Sequence, residues 1–136
     1  RGKFPRLRLT VDATAFPSLV AQIEQASTEH SLKIDNAPFD AAQSRSVYAS
    51  AGALIYPSLF ESFGLPLQEA QAEGLDILAS ERDFVRDVSE PVQTFDPNSA
   101  KSIARAVVRH MGEPLSIPRH LSADEFLALI TGGREE

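Results

Sequence analysis

The chain has 136 residues, enough for one compact domain with a sizeable core and too few for two ordinary ones. Apolar residues make up 43% and charged residues 24%, a globular composition that excludes a disordered tract or a coiled coil. Thirteen Lys and Arg against nineteen Asp and Glu give −6, the wrong sign for holding nucleic acid, and no apolar run is long enough to span a membrane.

In chain order, Leu7 to Val11 reads as a strand, and Pro17 opens a helix whose inner face is Leu19, Val20 and Ile23. Leu32 to Ile34 is a short second strand. Asp40 and Gln43 make a capping box for the next helix, with Val47, Tyr48 and Ala51 as its apolar stripe. Ala53 to Tyr56 is a continuous apolar run, expected for a strand buried on both faces. Pro66 starts a helix that Gly74 ends. Ile77 to Ala79 is a fourth strand, Phe84 to Val88 a helical turn, and Pro91 to Phe95 a fifth strand weakened by its proline. Asp96 and Asn98 are the cap candidates for a helix bearing Ile103, Val107, His110 and Met111 on one side. After the Pro-rich stretch from Glu113 to Pro118, Ser122 and Glu125 make a capping box for a last helix, and residues 132–136 read as a frayed end. Strict alternation with helical crossovers predicts a parallel sheet covered on both faces, a three-layer α/β/α domain.

Cys is absent, so there is no disulfide, no Cys-based zinc site and no thiol nucleophile, which fits a reducing cytoplasm. His30, His110 and His120 form no metal-like pair. His110 is expected at the edge of a buried stripe, the other two at the surface. Asp83, Asp87 and Glu90 read as a solvated acidic face, and the glycines make neither a P-loop nor a dinucleotide fingerprint. Met111 is the single Met, so Arg1 is not a translation start, and a processed chain or a piece of a longer protein is expected.

Ligands of open parallel sheets bind beyond the carboxyl ends of the strands. The most informative junction runs from Tyr56 through Glu61, Gly64 and Pro66 to Glu69. There a buried strand ends, Gly64 turns the loop, and a helix begins whose N–H groups and dipole form an anion site. Beside a bound phosphate, Glu69 could accept both hydroxyl protons of a ribose, and Glu61 could contact a polyol that the phosphate carries. Spacing alone decides nothing, because Glu73 and Glu81 repeat it without a glycine turn or a helix start.

The stretch Ala53-Leu-Ile-Tyr-Pro-Ser-Leu-Phe-Glu-Ser-Phe-Gly-Leu-Pro-Leu-Gln-Glu-Ala-Gln-Ala-Glu-Gly74 closely resembles the donor-binding signature of retaining GT-B glycosyltransferases, family 4 in particular. The resemblance runs from about Leu7 to His110, with further matches at Val47-Tyr48, Ala51-Gly52, Ile77 to Ser80 and Phe95-Asp96-Pro97. It implies a nucleotide-diphosphate sugar lying across the strand ends and a reaction that needs no metal or other cofactor. Glu61 matches the glutamate that contacts the donor sugar and is the catalytic candidate. Glu69 matches the one that holds the ribose. Ser62, Phe63, Gly64 and Leu65 fall in the loop that approaches sugar and diphosphate. Pro38 and Phe39 fall in the loop that receives the base. Phe39 has an independent argument: its staple partner within the helix would be the polar Ser44, which favours a ligand-facing ring.

Two departures stand out. Asp12-Ala13-Thr14 replaces the family's glycine turn, and Gly74-Leu75-Asp76 replaces Gly-x-Pro. The family's first strand, its Arg/Lys loop and its acceptor-binding N-terminal domain would all lie before Arg1. Arg1, Lys3, Arg6 and Arg8 read as solvated charges rather than that loop. The expectation is therefore the Rossmann-like C-terminal half of a GT-B fold lacking its first strand. Residues 1–112 would carry a partial donor site without turnover, and residues 113–136 a linker and helix packing on it or on the absent domain.

The parent would pass a sugar, with retention, to a sugar or lipid-linked acceptor in polysaccharide or glycolipid assembly, in the cytoplasm or at the inner face of its membrane. A homodimer of the fragment through its exposed edge is also expected. The competing reading is a non-catalytic regulatory or interaction domain that kept the fold. A receiver domain is disfavoured, since no acidic cluster at the first strand end pairs with a later Lys.

Overall fold

The computed structural model describes residues 5–38 and 40–112. Among them, strands and helices alternate as β1 (Arg6–Leu9), α1 (Pro17–Glu29), β2 (Lys33–Asn36), α2 (Ala41–Ser50), β3 (Ala53–Tyr56), α3 (Leu65–Ala72), β4 (Asp76–Ser80), α4 (Asp83–Val88), β5 (Gln93–Phe95) and α5 (Ala100–His110). Every pairing is parallel. β1 lies beside β2, with Leu7 opposite Ile34. β3, β4 and β5 pair in that order, with Ile55 opposite Leu78 and Ala79 opposite Thr94. This is the expected Rossmann-like α/β architecture with open sheets.

The period of two along β3 and β4 divides the core into two layers. Leu54, Tyr56, Ile77 and Ala79 pack on one face with Tyr48 of α2, Leu67 and Ala70 of α3 and Val85 of α4. Ala53, Ile55 and Leu78 turn to the other face, where Phe95 joins Ile103, Ala106 and Val107 of α5. Helices thus cover both sides of this sheet. Its two buried serines are satisfied locally: the Ser80 hydroxyl donates to the Tyr56 carbonyl at 3.3 Å and the Ser89 hydroxyl to the Val85 carbonyl at 3.0 Å.

Local chemistry sets the helix starts. Pro17 stands at the start of α1. Both halves of the α2 capping box form: the Gln43 N–H donates to Asp40 Oδ1 at 2.9 Å, and the Asp40 N–H donates to Gln43 Oε1 at 3.3 Å. The cap of α5 is Ser99, whose hydroxyl accepts from the Ser102 N–H, and not Asp96 or Asn98. Asp96 instead uses Oδ1 to accept from the Asn98 N–H at 3.0 Å, which closes the turn before the helix.

Four further expectations are corrected. The single sheet is two sheets, because one edge of β1 and one edge of β3 carry no ladder among the described residues. β3 is half-buried along its length rather than buried on both faces, as befits an edge strand. α1 has no buried residue: Leu19 is 45% exposed, and Val20 and Ile23 are only partly covered. Ala51 lies past the end of α2 and is exposed, which leaves Tyr48 as the buried member of that stripe. The Pro-rich stretch, the last helix and the second region at 113–136 lie outside the described residues.

Candidate donor site at the carboxyl end of strand three

The chain leaves β3 at Tyr56 and re-enters regular structure at Gly64, the N-cap of α3. Gly64 is left-handed, with φ +59°. A Cβ there would meet Leu67 Cδ1 and Val88 Cγ2, each at 3.3 Å, so both backbone and space require glycine. Gly64 O accepts from the Leu67 N–H at 2.9 Å and the Gln68 N–H at 3.2 Å, and Pro66 has no N–H to offer. Of the helix start, the Gly64 and Leu65 N–H groups are therefore the donors without a protein partner among the described residues. The Gln68 side-chain amide donates to the Phe63 carbonyl at 2.8 Å and ties the loop to the helix.

Both signature glutamates stand at this junction, and a tyrosine hydroxyl fixes one of them. The Tyr56 hydroxyl donates to Glu61 Oε2 at 2.8 Å, and the Ser62 N–H donates to Glu61 Oε1 at 3.1 Å, so both carboxylate oxygens are fixed. Glu69 is exposed on the first turns of α3, and Tyr48, only 9% exposed, packs against the Leu67 and Ala70 face of the same helix. Burial, then the Glu69 charge and hydrogen bond, push Tyr48 up to about 12. Burial, then the hydrogen bond and charge of Glu61, push Tyr56 up to about 12, with a further contribution from nearby Tyr48. Both phenols are thus protonated donors at neutral pH. Tyr48 takes its expected place in the core. The missed site residue is Tyr56, whose signal in the sequence is a hydroxyl closing the apolar run from Ala53.

The loop also carries apolar side chains outward. Phe60 is 81% and Phe63 74% exposed, with Leu59 and Leu65 beside them in sequence and also exposed. Of the other expected site residues, Ser62 is exposed and Pro38 is exposed at the carboxyl end of β2. Phe39 lies outside the described residues.

At the Asp12-Ala13-Thr14 departure after β1, a carboxylate builds the turn. Asp12 Oδ1 accepts from the Thr14 N–H at 2.8 Å, the Thr14 hydroxyl at 2.7 Å and the Ala15 N–H at 3.4 Å. These bonds, the Thr14 side chain first, hold the Asp12 carboxyl below its usual value. Asn36 extends the β1–β2 pair with its side chain, accepting from the Val11 N–H at 2.9 Å and donating to the Val11 carbonyl at 3.0 Å. His110 is partly covered and pairs with Asp76 at 2.8 Å, whereas His30 is exposed. Arg6 and Arg8 are exposed and both reach Asp35. No group of His, Asp and Glu among the described residues is arranged to hold a metal ion. Nor is any described helix long and apolar enough to cross a membrane.

The family model described as glycosyl transferases group 1 matches residues 17–122, which takes in α1 through α5 and the whole β3–α3 junction. The chain belongs to the group 1 glycosyl transferases. No curated protein matches it. For a group 1 glycosyl transferase the observed geometry is chemically apt. Two unpaired N–H groups at a helix start suit an anion, and a carboxylate held at both oxygens suits hydroxyl donors.

Proposed function

We propose that the chain is the donor-binding part of a retaining GT-B glycosyltransferase of the family 4 type, and that it binds a nucleotide-diphosphate sugar at the β3–α3 junction. Glu61 takes the donor sugar, and Glu69 takes the ribose diol. The Gly64 and Leu65 N–H groups, with the α3 dipole, take the diphosphate. Pro38 and Phe39 line the base loop, and Ser62 and Phe63 flank the sugar. The observation that carries this reading is the Glu61 carboxylate, pinned at both oxygens beside a helix start that keeps free N–H donors. A carboxylate beside a phosphate site opposes simple anion capture and favours a phosphate that carries a polyol. The acceptor in this reading is a sugar or lipid-linked sugar met in the cytoplasm or at the inner face of its membrane.

A second reading, a non-catalytic interaction domain, draws support from the outward-facing Phe60 and Phe63. Amide-resolved NMR during titration with UDP, GDP and ADP separates the two. The donor reading expects saturable shifts clustered on residues 37–40 and 63–70, weakened in Glu69→Gln. Shifts scattered over the surface, or insensitive to Glu69→Gln, overturn it in favour of the interaction domain.

A further inference from the structure

We infer that Tyr56 is a positioning residue of the donor site, fixing the Glu61 carboxylate for the sugar. The inference rests on the donor reading above and deepens it.

Glutamate is a flexible side chain, and a hydroxyl ligand that captured a free one would have to order it first. Here the ordering precedes the ligand. Tyr56 is the last residue of β3, packed against the apolar layer, and its hydroxyl reaches Glu61 Oε2 at 2.8 Å. An ionised carboxylate has about four acceptor positions, so the Tyr56 and Ser62 bonds leave the others for ligand hydroxyls.

The choice of residue matters as much as the contact. A lysine or arginine would fix the carboxylate and also cancel its charge, which weakens its pull on hydroxyl protons. A neutral phenol fixes it and leaves the charge intact. With its phenol raised to about 12, Tyr56 keeps its donor proton near neutrality.

Glu61 serves the sugar alone, and that separates positioning from mere packing. Calorimetric titration of the chain with UDP, GDP, ADP, UDP-glucose, GDP-mannose and ADP-glucose reads the separation. For the base that binds, Tyr56→Phe is expected to leave the diphosphate unchanged and to weaken the sugar conjugate alone, by about fivefold.

A purely structural role would weaken both ligands together. Glu61→Gln with and without Tyr56→Phe closes the cycle: the double variant is expected to bind the sugar conjugate no more weakly than Glu61→Gln alone. Wild-type affinity of Tyr56→Phe for the sugar conjugate, or equal losses for both ligands, overturns the inference and leaves the donor reading standing. A wild-type chain that binds none of the six probes overturns the donor reading and the inference with it.

Discussion

Gly64 concentrates two demands in one residue. Its φ of +59° excludes most side chains on backbone grounds, and the 3.3 Å approaches to Leu67 and Val88 leave a methyl little room. Gly64→Ala is expected to lower stability by about 1–2 kcal/mol from the backbone alone, read as a drop in the urea midpoint at constant slope. An unchanged midpoint would mean that the loop relaxes away from α3. The tyrosines define a second residue-scale effect. Each titrates near 12 when folded against 10.0 for a free phenol. A raised folded value gives stability that is fully present below pH 10 and is lost as pH rises through about 12. Urea denaturation between about pH 9 and about pH 12 checks this. In Tyr48→Phe/Tyr56→Phe the alkaline loss should shrink.

At the scale of elements, α2 and α3 hold the site by different means. α2 is fixed at its start by the reciprocal Asp40–Gln43 box, so Asp40→Ala is expected to cost about 1 kcal/mol and to speed amide exchange in the first turn of α2. α3 is fixed by burial: Leu67 is fully buried under Gly64 and against Tyr48. Leu67→Ala is expected to cost about 2–5 kcal/mol and to shift Gly64 and Glu69 resonances together, which an isolated cavity would not do.

The same elements show what was legible beforehand. Pro17, the Asp40–Gln43 box and Gly64 act through their own neighbours in sequence, so the pattern of residues reveals them. The bare inner face of α1 was not legible, since Leu19, Val20 and Ile23 have the right spacing and burial depends on what packs against them. The α5 cap was misplaced at Asp96 or Asn98, because the Asp96 carboxylate is taken by its own turn and Ser99 caps the helix instead. Tyr48 reaches across from one helix to another, a contact that no local pattern encodes.

For the whole molecule, the strands were legible and their pairing was not. Hydrophobic period reports which faces are covered; it says nothing of which edges meet. Splitting the ladder into β1–β2 and β3–β4–β5 leaves backbone donors and acceptors on one edge each of β1 and β3 without strand partners among the described residues. Such edges recruit further strands. Sedimentation velocity over a range of loading concentrations is expected to show self-association of the chain to a dimer. A monomer at every concentration would contradict it.

The chain has two tyrosines and no tryptophan. Tyr56 stands against Glu61 and Tyr48 packs against α3, and the chain has no indole to absorb their excitation energy or mask their light. The tyrosine emission of the chain therefore originates at the β3–α3 junction and at the α2 face packed on it, and the molecule is its own unlabelled optical probe of what happens there.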